Sequence, residues 1–189
     1  MRVIAGRFRS RQLKSLKGLA LRPTSDRLRE TLFNVLGQQI SGAHFLDIFA
    51  GTGAVGIEAL SRGAAEAVFI ENHKPAAALI RKNLESLGIS AGATVFANDA
   101  LSGLAALAKR PKDHPGFTHA FLDPPYANAD DYLRVLQILG VTEILSPTAL
   151  VIAEHRHTFS LSEAIGFLRR ARVLKQGDAA LSFYRREPR

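Results

Sequence analysis

The sequence predicts an α/β fold on a mainly parallel sheet that closes with an antiparallel hairpin. Three observations predict it. From residue 45, short apolar runs alternate with segments of helical spacing, the pattern of strands buried on both faces and joined by crossover helices. The first run passes straight into a glycine-rich turn, Gly51-Thr52-Gly53-Ala54-Val55-Gly56. The chain finishes with two stretches joined by Gln176-Gly177-Asp178, the second alternating apolar and polar residues, which reads as a hairpin.

In chain order, residues 2–16 mix short apolar pieces with basic residues around Gly6 and read as a small basic hairpin or arm. Pro23-Thr24-Ser25-Asp26 offers N-cap oxygens to a helix carrying Leu28, Thr31, Leu32, Val35 and Leu36 on one face until Gly37. Arg27, Arg29 and Glu30 fall off that apolar stripe. The apolar runs 45–49, 67–70, 93–97, 120–122 and 150–153 are the expected parallel strands, with helices near 54–62, 73–87, 101–109 and 130–139. Residues 168–175 and 179–185 form the expected hairpin.

At 189 residues the chain suits one domain, in which residues 1–36 form a basic N-terminal extension and 37–189 a catalytic core. Without cysteine there is no disulfide, thiolate metal site or cysteine nucleophile, which fits a reducing cytoplasm. No stretch reaches the ~20 apolar residues that cross a bilayer. The N-terminus lacks the apolar run of a signal peptide.

The net charge of +8 is unevenly placed. Residues 1–36 hold nine basic and two acidic residues, and residues 167–189 hold seven basic and two acidic; the stretch between is net acidic. Basic ends around an acidic centre suggest a polyanion gripped by peripheral elements.

The glycine turn has the spacing G-x-G-x-x-G, and Glu71 follows Gly51 by 20 residues, where a carboxylate reaches ribose hydroxyls. Nicotinamide and S-adenosylmethionine enzymes share that turn. Asp47, in the run before it, separates them: its charge repels a pyrophosphate and suits a ligand with a positive amino group and sulfonium. Asp47 can also cap the loop by accepting backbone N–H bonds. Asp47 lies late in one apolar run, and Glu71, Asp99 and Asp123 each closely follow one, which puts four carboxylates toward the carboxyl edge of the sheet, where such folds bind ligands.

Asp123-Pro124-Pro125-Tyr126 directly follows the run 120–122. Two prolines stiffen the loop and leave carbonyls without competing N–H donors. The Asp123 carboxylate and the Pro124 carbonyl can accept both hydrogens of an exocyclic amino group, and Tyr126 can stack on the base that bears it. Such an amine is a poor nucleophile until its lone pair is oriented and its proton has an acceptor. Alternation sends His155 and His157 of His155-Arg156-His157 to one face, without carboxylate or cysteine company on it, so they are expected to be a surface or RNA-facing pair of histidines, and no metal site is expected.

With these residues assembled, the chain resembles the RsmD family of 16S rRNA guanine-N2 methyltransferases. The likeness runs through 2–6, the arginine-rich 21–33, 47–63, 69–71, 98–101 and 123–126. It implies a Rossmann-like class I methyltransferase fold with a seven-stranded sheet, S-adenosylmethionine as cofactor, and a guanine amino group of small-subunit rRNA, in an assembly particle, as acceptor. It also implies that Asp47, Gly51 and Gly53 hold the methionine part of the cofactor, Glu71 the ribose, Asp99 and Ala100 the adenine. Asp123, Pro124 and Tyr126 would take the base. The basic balance of residues 1–36 points to Arg7, Arg9, Arg11, Arg22, Arg27 and Arg29 as the groups that grip RNA phosphates. The nearest alternative is an adenine-N6 methyltransferase on RNA or DNA, with the same loop. A nicotinamide oxidoreductase and a non-catalytic RNA-binding protein are disfavoured by Asp47 and by the Asp123–Tyr126 loop respectively.

Overall fold

The Ser25 hydroxyl accepts the Leu28 N–H at 3.1 Å and so caps the first helix, α1 (Asp26–Leu36), which ends at Gly37 with φ 54°. The structure, a computed structural model, describes residues 1–15, 25–111, 114–125 and 129–187. Two of the site residues expected from sequence, Arg22 and Tyr126, lie outside the described residues. The chain divides into two units, Met1–Ala100 and Leu101–Arg189.

In the first unit the N-terminal segment turns back on itself, as expected. Arg2 and Gln12 form an antiparallel bridge, and Val3 N–H donates to the Arg11 carbonyl at 3.0 Å. After α1 and a 3-10 turn (Gly37–Ile40) come β1 (His44–Ile48), α2 (Ala54–Ser61), β2 (Glu66–Ile70), α3 (Lys74–Ser86) and β3 (Ala93–Phe96). The strands lie parallel in the order β3-β2-β1. Phe45, Leu46, Ile48, Val68 and Phe69 are fully buried, which is why these runs carry no polar alternation. Helix α3 buries Ala76, Ala77, Leu79, Ile80 and Leu84 while Lys74, Arg81, Lys82 and Glu85 face water, the stripe its sequence period encodes.

Helix α4 (Ala100–Leu107) leads into the second unit: β4 (Phe117–Leu122), α5 (Ala129–Val141), β5 (Leu145–Arg156), β6 (Ala164–Ile165), β7 (Leu168–Gln176) and β8 (Ala179–Arg186). Strand order is β4-β5-β8-β7-β6, with β4 and β5 parallel and the rest antiparallel. The described residues form eight strands, three in the first unit and five in the second, where seven were expected. The extra one, β6, is two residues long and too short to show a period. Strand β5 is also longer than its apolar run 150–153, because Ser146, Pro147 and Thr148 break the pattern while the backbone stays extended. No helix among the described residues is long and apolar enough to cross a membrane.

Candidate functional site

At the carboxyl end of β1 the backbone takes three positive φ angles, at Phe49 (62°), Gly51 (55°) and Gly53 (76°). Gly53 is the left-handed N-cap of α2, and its N–H closes the turn on the Ala50 carbonyl at 2.7 Å. Gly56 is required for a different reason: a Cβ there would stand 2.3 Å from the Phe69 ring and 3.1 Å from the Asp47 carboxylate. On the outer side of Gly51 an added Cβ would meet nothing closer than 4.0 Å. The first glycine therefore borders open space, while the third packs against the core.

Asp47 is 1% exposed, and its Oδ2 accepts the Gly56 N–H at 2.8 Å. The loop-capping role open to this residue is thus realised. Burial pushes its carboxyl up to about 8; the Gly56 hydrogen bond opposes the shift and the nearby Glu71 charge adds to it. Glu71, just past β2, accepts two backbone N–H groups, from Gly51 at 2.7 Å and from His73 at 2.8 Å. The carboxylate that follows Gly51 by 20 residues is therefore brought onto the glycine turn. Asp99 is exposed and Ala100 buried at the start of α4.

In the second unit Asp123 follows β4 directly and is half-buried, with Pro124 buried and Pro125 exposed. Farther along the chain, Tyr132 of α5 is buried and donates its hydroxyl hydrogen to the Glu154 carbonyl at 2.8 Å. His119 in β4 is buried, and desolvation lowers its pKa to about 4.

The histidine pair expected at the surface is split. His155 is 3% exposed. Its Nδ1 lies 2.8 Å from the Arg156 carbonyl, which can only accept, so Nδ1 carries the proton and Nε2 accepts from the Ser182 hydroxyl at 2.8 Å. His157 lies beyond the end of β5 and is exposed. Alternation holds only while the strand continues, and β5 stops between them.

Of the arginines expected to grip phosphate, Arg7, Arg9, Arg11 and Arg27 are exposed, although Arg11 also donates to the Ser86 carbonyl at 3.0 Å. Arg29 is a correction. Its side chain is fully buried, with Nη2 bonded to the Arg2 carbonyl (2.5 Å) and Asp26 (3.0 Å), and Nε 3.8 Å from Glu58. Burial lowers its pKa, while Asp26 and Glu58 act to raise it. Arg29 and Phe33 extend the buried face of α1 beyond the apolar stripe: Arg29 meets the Arg2 carbonyl and Glu58, and Phe33 stacks on Phe45 beneath the Arg62 guanidinium.

The residues that hold this segment were not foreseen. Glu58 of α2 is fully buried and accepts the N–H groups of Ile4 (2.8 Å) and Ala5 (3.0 Å) and the Arg62 guanidinium (2.7 Å). Ser61 Oγ accepts from Phe8 N–H and donates to the Ala5 carbonyl. Asn83 of α3 accepts from Lys14 N–H at 2.9 Å and donates to the carbonyls of Lys14 and Thr52. The basic segment is thereby tied to the helix that starts at the glycine turn and, through Asn83, to Thr52 within the turn. A carboxylate inside the otherwise apolar AVGIEALS helix was the available signal, since such a group is buried only with partners.

A family model described as Conserved hypothetical protein 95 matches residues 1–185. Ribosomal RNA small subunit methyltransferase D of Escherichia coli (strain K12) is 36% identical over 191 residues, spanning 99% of this chain and 90% of its own. A solved Escherichia coli structure, provisionally named a methyltransferase, matches over 100% of this chain and 99% of its own, with a TM-score of 0.84 at 32% identity. An RNA methyltransferase from Salinibacter ruber, in complex with S-adenosyl-L-homocysteine, shares the fold: TM-score 0.63 and 16% identity, over 88% of this chain and 95% of its own.

Proposed function

The chain belongs to the family described as Conserved hypothetical protein 95, the RsmD family of small-subunit rRNA methyltransferases, and we propose that it transfers a methyl group from S-adenosylmethionine to the N2 amino group of a guanine in 16S rRNA. The observation that carries the reading is Asp123, a half-buried carboxylate at the carboxyl end of β4, followed by a buried and an exposed proline. A carboxylate held there by a proline-stiffened loop suits an amine that must lose a proton, and serves a hydride transfer poorly.

The donor set of the first unit fits the cofactor. Asp47 offers a carboxylate that a cationic amino group would ionise, Glu71 can exchange backbone donors for ribose hydroxyls, and the open side of Gly51 admits a ligand. Asp99 and Ala100 are the proposed adenine contacts. When bound, the cofactor supplies an electrophilic methyl on a sulfonium. The protein's own task is then to orient the acceptor nitrogen. Asp123 and the Pro124 carbonyl accept its two N–H groups, Tyr126 stacks on the base, and the proton released as nitrogen gains the methyl group passes to Asp123. Exposed Arg7, Arg9, Arg11 and Arg27 contact phosphates, with Arg22 assigned to the same role. The substrate is 16S rRNA in an assembly particle, which places the protein in the cytoplasm.

Mass-spectrometric nucleoside analysis of small-subunit rRNA from cells lacking the protein tests the proposal. One N2-methylguanosine is expected to disappear. Loss of an N6-methyladenosine instead would overturn the guanine assignment.

A further inference from the structure

The split histidine pair leaves basic side chains at one end of the second unit that the catalytic reading does not use. Leu122, the last residue of β4, pairs with Ala153 of β5, and β5 continues three residues farther, to Arg156. At about 3.3 Å per residue, that overhang carries the strand about 10 Å past the level of Leu122. Arg156 and His157 at its tip are exposed. The β7-β8 turn reaches the same edge: Arg156 pairs with Ala179, His155 with Ala180, and Ala180 with Lys175. Lys175 is exposed and stands level with His155, two strands over, or about 10 Å away.

This edge is built. His157 N–H donates to the Asp178 carbonyl at 2.9 Å, and Phe159 N–H donates to the Arg156 carbonyl at 2.9 Å. His155 anchors the strand end from inside by its two hydrogen bonds. Three arginines toward the opposite end of the hairpin bond groups of the protein. Arg169 bonds the Gly166 carbonyl and Glu187, Arg170 bonds the Leu161 carbonyl and Glu163, and Arg186 bonds the Leu145 carbonyl.

We infer that Arg156, His157 and Lys175 form a phosphate-binding rim for the RNA strand that flanks the acceptor nucleotide. The inference rests on the reading of an RNA substrate. A base presented to Asp123 must leave its stack, and the phosphates on either side of it then run beside the loop, toward the β5 overhang and the β7-β8 turn.

The test uses the full chain and small-subunit assembly particles from cells lacking the protein. Each lost phosphate contact lowers the slope of log affinity against log salt by about 0.7–0.9. The Arg156→Gln/Lys175→Gln double variant is expected to lose two such steps, and the charge-preserving Arg156→Lys/Lys175→Arg variant none. Arg185→Gln, toward the other end of the hairpin, should keep the wild-type slope. S-adenosylhomocysteine binding by calorimetry checks the fold of each variant. As a readout that needs no variant, Lys175 of the wild-type protein should be protected from acetylation by bound particles. An unchanged slope in the double variant, or Lys175 acetylated equally with and without particles, overturns the rim. A wild-type protein that neither binds nor methylates the particles overturns the substrate reading, and the rim with it.

Discussion

The Glu71 carboxylate accepts the Gly51 N–H at 2.7 Å and so fastens the glycine turn after β1 to the end of β2. Its other oxygen takes the His73 N–H, which leads the chain into α3. One carboxylate thereby sets the path of two loops at the carboxyl edge of the first unit.

Replacing Glu71 by Ala should therefore cost stability even without ligand. Loss of charge-assisted bonds to backbone donors is worth about 1.5–3 kcal/mol, to be read from urea unfolding. Glu71→Gln keeps one carbonyl acceptor and should lose less. Both variants should bind S-adenosylhomocysteine more weakly, by calorimetry. Wild-type stability in Glu71→Ala would show that the fastening contributes nothing.

Asp47 makes the apo protein pH-sensitive. Its carboxyl, ordinarily at 3.8, is pushed up to about 8 by burial. Between those values the unfolded chain has released the proton and the folded protein holds it. The folded state binds more protons, so this group's contribution to stability falls as pH rises through the window and levels off above it. Unfolding free energies from pH 5 to 9 should show that component in the wild type and not in Asp47→Asn. A cationic amino group bound beside Asp47 favours the ionised form, so S-adenosylhomocysteine binding at pH 7 should release a proton. Calorimetry in two buffers of different ionisation enthalpy measures it, and Asp47→Asn should abolish it.

Glu58→Ala leaves the Arg29 guanidinium buried with less compensation and frees two N–H groups of the N-terminal segment. Breaking a buried pair of this kind costs about 3–5 kcal/mol. The denaturation midpoint should fall accordingly, and limited proteolysis should cut within residues 1–15 before any other site.

Arg7 and Arg9 are exposed and Arg29 is not, so their substitutions should separate cleanly. Arg7→Gln and Arg9→Gln should each lower the salt slope of rRNA binding by about 0.7–0.9 with melting temperature unchanged. Arg29→Gln should lower the melting temperature and leave the slope of the folded protein intact. The reverse pattern would show that the N-terminal segment has been assigned wrongly.

Asp123→Asn should slow single-turnover methylation of small-subunit particles by about 10²–10⁴-fold and change S-adenosylhomocysteine affinity little. Asparagine keeps the size and one acceptor, but it cannot take the proton and it presents an NH₂ to the donor amine. A wild-type rate in this variant would remove Asp123 from the reaction.

The sequence by itself determined the alternation of strands and helices, the hairpin at 168–185 and the glycine turn, because period and turn chemistry are local properties. It also placed Asp47, Glu71 and Asp123 at strand ends, since a carboxylate closing an apolar run has few other places to go. What it could not decide was partnership. Arg29 and Arg27 look alike in the chain, yet one is sealed between Asp26, Glu58 and the Arg2 carbonyl while the other meets water. His155 and His157 look alike too, and are parted by where β5 stops. Whether a polar side chain is buried depends on what packs over it from distant sequence, 27 residues away for Arg29 and Arg2 and 54 for Glu58 and Ile4. Only the tertiary structure holds that information.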